Sequence, residues 1–94
     1  MRAVLPVSKK NPDGSSTEDM LLFDTETATE LCSVLNEYGN EVEKIYLSPG
    51  GILFKEDMNR KGKLQVGNQE AVKKYIGQHY PEVYEKTFGK VKEA

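Results

Sequence analysis

The stretch "IYLSPGGILF", Ile45 to Phe54, is the one whose reading decides the fold. Two apolar runs flank Pro49, Gly50 and Gly51. Glycines that cradle a phosphate lead from a strand into a helix N-terminus, where backbone N–H groups converge on the anion. Here the second run, from Ile52 to Lys55, is β-branched and aromatic, and no Lys-Ser or Lys-Thr follows the glycines. The stretch therefore reads as a β-hairpin. Side chains alternate along a strand, so a slip of one residue in the pairing turns every side chain to the other face. Ile45, Leu47, Ile52 and Phe54 share one face only if Leu47 lies opposite Ile52, which requires an even loop. Ser48 to Gly51 supplies one, built on a type I turn with Pro49 at its second position. This register sends Ile45, Leu47, Ile52 and Phe54 into the core. It puts Lys44, Tyr46, Leu53 and Lys55 on the solvent side, where Leu53 is the residue that a purely structural hairpin does not need.

Working outward, "EVEKIYLS" and "GILFKE" are the two strands of this hairpin, and "KLQV" is a further short strand after the polar loop "DMNRKGK". Upstream, "RAVLPV" reads as a strand that Pro6 demotes to an edge, because proline cannot donate to a ladder. "KKNPDGSSTE" is a loop with Asn-Pro and Asp-Gly turn signals. "DMLLFD" is the next strand and forms a hairpin with the first. "DTETATELCSVLNEYGN" predicts a helix: Asp24 or Thr25 as N-cap, Thr27 and Glu30 as a capping box, and Ala28, Leu31, Cys32 and Leu35 as an apolar stripe, with Gly39-Asn40 as the stop. A competing reading is one helical turn followed by a strand through "CSVL", because Val34 and Leu35 do not decide the period. Downstream, Asn68 caps a helix over "QEAVKKYIGQHY" with Val72, Tyr75, Ile76 and His79 along one side. Pro81 breaks it and opens a second helix, "PEVYEKTF", which Gly89 ends.

At 94 residues the chain makes one domain with a modest core. Residues 1–19 are its edge strand and loop, and 90–94 a tail. The expected fold is α+β: a small antiparallel sheet of four to five strands with two to three helices packed on one face. The expected core is Leu21, Phe23, Leu31, Leu35, Ile45, Leu47, Ile52, Phe54, Leu64, Val72, Ile76, Tyr84 and Phe88. No run approaches the roughly 18 to 20 apolar residues of a membrane span, and the N-terminus does not read as a signal peptide. A cytoplasmic location without membrane contact is expected.

Charge is unevenly spread although the net charge is only −2. From Asn11 to Glu43 there is no Lys or Arg, while nine acidic residues fall in that window. From Lys44 onward ten basic residues outnumber six acidic ones. Either the two halves attract each other in the fold, or the first half presents an acidic face to a basic partner.

Catalytic and metal signals are thin. Asp57, Asn59 and Gly62 match positions of a calcium loop, but Lys61 falls inside the cage and Asn68 stands where a bidentate Glu is needed. His79 is the single histidine and Cys32 the single cysteine, so no zinc cluster can form from them. Cys32 reads as a small buried hydrophobe, and a Cys32–His79 pair is the one conceivable nucleophile and base. Nothing marks the carboxylate pairs Asp24/Glu26 and Glu41/Glu43 as raised-pKa residues in a cleft. No pattern calls for a catalytic residue, a metal or a cofactor. Lys55, Arg60, Lys61 and Lys63, with Tyr46 beside them, form a basic hairpin and loop that could bind nucleic-acid phosphate and stack a base.

Three segments together, "LLFDTETATELCS", "IYLSPGGILFKE" and "QEAVKKYIGQHYPEVYEKTFG", resemble a group of short uncharacterised proteins from prophages and conjugative elements of Gram-positive bacteria. The resemblance covers roughly residues 21–89. The group carries a longer acidic loop with Gly-Gly where this chain has "KEDMNRKGK", and it lacks this chain's "MRAVLPVSKKNPDGSSTE". The resemblance transfers no activity; it implies a mobile-element accessory protein. The expected function is a non-enzymatic interaction module that docks a basic protein, with Glu37, Glu41, Glu43, Tyr46, Leu53 and Lys55 as the partner-binding residues. Nucleic-acid binding through residues 55–63 is the alternative. A homodimer through the sheet edge at "RAVLPV" is a further expectation.

Overall fold

The computed structural model describes residues 1–60 and 63–94. Eight elements follow one another along the chain: β1 (Arg2–Lys10), β2 (Ser16–Asp24), β3 (Thr29–Leu35), β4 (Glu41–Leu47), β5 (Leu53–Asp57), β6 (Leu64–Gln65), α1 (Gln69–His79) and α2 (Pro81–Phe88). The fold is α+β. Strands β3-β4-β5-β6 form an antiparallel meander, and β1-β2 form a separate antiparallel hairpin, as the turn signals between them predict. The helices cover one face of the meander and the β1-β2 hairpin covers the other.

Each face has its own core. On the helix side, Ile45, Leu53, Val72 and Ile76 are buried, with Leu31, Cys32, Val34, Leu47 and the α2 aromatics around them. On the hairpin side, Phe23, Tyr46, Phe54 and Leu64 are buried, and Ala3, Leu5 and Val7 of β1 pack on them. Phe54 lies between two rings: Phe23 at 5.1 Å and Tyr46 at 5.3 Å between centroids. Burying each of these large side chains contributes about 1.5–3 kcal/mol, so the layer is held mainly by apolar area.

The two-sided core corrects the expected register. Leu47 lies opposite Leu53, Tyr46 opposite Phe54 and Ile45 opposite Lys55. The loop is odd: Ser48 N–H donates to the Ile52 carbonyl at 2.9 Å and Gly51 N–H to the Ser48 carbonyl at 2.9 Å, which leaves Pro49, Gly50 and Gly51 as the connection. Gly51 has φ +84°, the left-handed residue that follows a type I turn in such a loop. An even loop is required only when one face is apolar. Here Ile45-Tyr46-Leu47 and Ile52-Leu53-Phe54 are continuous apolar runs, the pattern of strands buried on both sides. Leu53 is accordingly 3% exposed and belongs to the helix-side core, and Tyr46 is 7% exposed.

The helix expected over residues 24–40 is also corrected. Asp24 caps a single turn: its Oδ1 accepts from Glu26 N–H at 2.9 Å, and its carbonyl accepts from Ala28 N–H at 3.1 Å. The chain then enters β3, as the competing reading had it. Glu30 lies opposite Tyr46 and Cys32 opposite Ile45, so Leu31 is the extra residue of a bulge. Leu31 and Cys32 therefore both reach the helix-side core, which gives two consecutive apolar residues on one face. A bulge in a strand thus reproduces the i+3, i+4 spacing of a helix. Gly39-Asn40 closes a hairpin loop, with Asn36 N–H donating to the Asn40 carbonyl at 2.9 Å. Leu35 and Leu21, expected in the core, are 50% and 37% exposed.

The helical half follows the expected signals. Asn68 Oδ1 accepts from Ala71 N–H at 3.0 Å, Pro81 opens α2, and Gly89 follows its last residue. Gln69 clamps α1 to the sheet: its side-chain amide accepts from Leu53 N–H and donates to the Leu53 carbonyl, both at 2.8 Å. The Tyr80 hydroxyl donates to the Ser33 carbonyl at 2.8 Å and fixes the helix junction to β3. Among the described residues no helix is long and apolar enough to cross a membrane.

Candidate partner-binding surface

The acidic window and the basic half meet across the meander. On the side of Lys44, which faces away from the helices, Glu30 lies 3.3 Å from the ammonium and Glu41 4.0 Å from it. Glu41 also accepts from the Ser33 hydroxyl. Glu56 sits on the same face and accepts from the Tyr46 hydroxyl at 3.1 Å. A hydrogen bond from Lys44 to Glu30, with the charges of Glu30, Glu41 and Glu56 around it, holds the lysine above its ordinary pKa. Burial first, then the hydrogen bond to Glu56, pushes Tyr46 up to about 12. Three carboxylates around one ammonium leave this face acidic.

Among the described residues the opposite side carries one isolated pair. Glu43 and Lys55 are 3.4 Å apart, each with about a quarter of its side chain exposed. They line a cleft of about 280 Å³ with Val34, Asn68, Val72 and Tyr75. Ligand pockets run from about 300 to 1,000 Å³, and here the two charges already satisfy each other.

The six expected partner-binding residues are therefore not one surface. Tyr46 and Leu53 are in the two cores, against the expectation that they face solvent. Glu43 and Lys55 form the helix-side pair, and Glu41 belongs to the acidic face. Glu37 is exposed in the loop between β3 and β4. Two exposed apolar side chains lie beside it. Tyr38 is 80% exposed at the tip of that hairpin and Leu35 50% exposed at its base. The signal for Tyr38 is the Asn36–Asn40 run itself, which carries an aromatic at a turn rather than inside a helix.

The other candidate residues make structural contacts. The Cys32 thiol is half-buried against the helix layer, and burial raises its pKa. That is the opposite of the shift that activates a thiolate. The His79 ring stacks on Tyr75 at 4.3 Å between centroids. In the basic segment, Lys55 is paired with Glu43 and Tyr46 is buried, while Arg60 and Lys63 are exposed. Lys61 and Gly62, which the basic-ribbon and calcium-loop readings both involve, lie outside the described residues. Among the described residues no group of three or more His, Cys, Asp or Glu side chains is placed to hold a metal ion. No protein-family model matches the chain, and no curated protein or solved structure matches it either.

Proposed function

We propose that this protein is a non-enzymatic interaction module that docks a basic protein through the acidic face and tip of the β3–β4 hairpin. The observation that carries the reading is the exposure of Tyr38 and Leu35 on the same hairpin as Glu37 and Glu41. An exposed aromatic with an aliphatic neighbour provides the apolar anchor of a protein contact, and the acids around it select and steer a basic partner. The resemblance of residues 21–89 to mobile-element proteins supports an accessory role in a phage or plasmid, acting in the cytoplasm.

The test is capture by the immobilised wild-type chain against a Glu37→Lys/Glu41→Lys variant and a Tyr38→Ala variant. Both variants should lose a basic protein that the wild type retains, and the retained protein should elute as salt rises. Equal capture by all three proteins sinks the reading. A nucleic-acid reading through residues 55–63 rests on Arg60 and Lys63 among the described residues. It requires oligonucleotide binding at low salt that falls steeply with added salt; absence of binding at low salt ends it.

A further inference from the structure

The open strand edges of this protein are unequally protected. An unpaired edge presents a row of N–H and C=O groups to any other chain, and folds blunt such edges with bulges, proline, short strands or covering groups. In the meander, β3 is bulged at Leu31 and its Ser33 carbonyl is occupied by the Tyr80 hydroxyl. The outer edge of β5 at Leu53 is filled by the Gln69 amide, and β6 is two residues long.

The β1-β2 hairpin differs. Thr25 N–H donates to the Met1 carbonyl at 3.0 Å and Asn11 N–H to the Ser15 carbonyl at 2.8 Å. These bonds sit just beyond the two ends of the ladder, and the alternation of antiparallel pairs carries them inward. The odd-numbered residues of both strands therefore bond each other, and the even-numbered ones direct their backbone groups outward. On β1 one of the outward positions is Pro6, which has no donor, and β1 runs beside β6. This is the edge at "RAVLPV" expected to dimerise, and it is the guarded one. On β2 the outward positions include Glu18, Met20 and Leu22, and β2 pairs with no strand but β1 among the described residues. Every residue from Ser16 to Leu22 is exposed, with Met20 at 61% and Leu22 at 53%.

We infer that the outer edge of β2 accepts an extended segment of a basic protein as a third strand of the hairpin. Main-chain bonds to Glu18, Met20 and Leu22 supply the pairing, and alternate side chains supply the selectivity. The occupant is set by charge. β2 carries Glu18, Asp19 and Asp24 and no basic residue, and among the described residues only Asp24 is in an ion pair, with Arg2 at 3.4 Å. A second copy pairing β2 with β2 antiparallel about Met20 would set Glu18 against Leu22 and Asp19 against Leu21, and would bring neither acid a basic partner. An incoming strand that places Lys or Arg opposite Glu18 and Asp19, and apolar residues opposite Met20 and Leu22, is complementary at each position. This surface is distinct from the β3–β4 face and shares with it only the basic character of the partner.

The test uses the full chain and the peptide acetyl-Thr-Val-Ile-Val-Lys-Arg-amide, read by amide NMR. Binding should shift the Glu18, Met20 and Leu22 amides and slow their hydrogen exchange. Of two peptides N-methylated at alternate residues, one should bind and the other should not, because only one row of donors faces β2. Glu18→Lys/Asp19→Lys should weaken binding by about tenfold or more, as should Leu22→Pro, which removes an outward donor and no bond to β1. If Leu22→Pro does not fold, the charge variant and the methylated peptides still decide. No shift at about 1 mM peptide, shifts confined to another surface, or equal binding of both methylated peptides overturns the inference. So does a wild-type dimer in which the β2 amides are already protected. Glu37→Lys/Glu41→Lys should leave peptide binding intact, so failure at β2 and failure of the β3–β4 face are told apart.

Discussion

The Phe23 ring meets the Phe54 ring at 5.1 Å between centroids and 57° between planes, and this contact joins two sheets that share no strand ladder among the described residues. Phe23 is 1% exposed and Phe54 fully buried. Phe23→Ala should cost about 3–5 kcal/mol in urea unfolding, while Met20→Ala, on the exposed face of the same strand, should stay within about 0.5 kcal/mol. Exchange of the β1 and β2 amides should quicken in Phe23→Ala. Equal costs for the two variants would mean that the hairpin does not rely on this contact.

The loop at Pro49-Gly50-Gly51 separates its two glycines. An added Cβ meets nothing within 4 Å at Gly51, yet φ is +84° there; at Gly50 the nearest atom is Ser48 Oγ at 3.9 Å and φ is ordinary. The strain is therefore conformational and confined to one position. Gly51→Ala should destabilise by about 1–2 kcal/mol, and Gly50→Ala by less than about 0.5 kcal/mol. Chemical denaturation of both variants checks that Gly51, and not Gly50, is the left-handed position of the turn.

Tyr46 sets a limit in alkali. Its pKa is raised from 10.0 to about 12 because burial and the Glu56 carboxylate both oppose the phenolate. The fold holds the neutral form, so the stability it contributes is complete below pH 10 and is lost as pH rises from 10 towards 12. Wild type should lose stability through that window relative to Tyr46→Phe. The phenolate absorbance present in wild type and absent in Tyr46→Phe should rise near pH 12. A rise at pH 10 would remove the basis for this prediction.

Cys32 should be a slow thiol. Burial against the helix layer raises its pKa, so less thiolate is present at neutral pH than in the unfolded chain. Alkylation by iodoacetamide should be about tenfold slower in the native protein than in denaturant. Native alkylation at the rate of the unfolded chain would show that the thiol is open and unperturbed.

Local rules carry far in the helical half. Asn68, Pro81 and Gly89 mark the starts and stops of α1 and α2 because caps and proline act within one turn, whatever surrounds them. The α+β class and the hairpins at both ends of the strand region were legible for the same reason. The acidic window was legible too, but not which acids share a face. Glu41 and Glu43 are two residues apart, yet Val42 is an extra residue of β4 between the pairs Val34–Glu43 and Leu35–Glu41, and Lys44 and Lys55 draw the two carboxylates into different ion pairs.

"IYLSPGGILF" shows where that legibility stops. The sequence by itself determined that Pro49, Gly50 and Gly51 reverse the chain between two apolar strands. Whether Leu53 faces solvent or core depends on what covers the second face of the sheet, and that cover is β1-β2, brought from the other end of the chain by Phe23. Register and exposure are decided by layers that meet only in the folded state, because a side chain's face has a meaning only once both sides of its strand have neighbours. The same holds for β2, whose open edge becomes visible only once β5, β3 and β1 have found their Gln69, Tyr80 and Pro6.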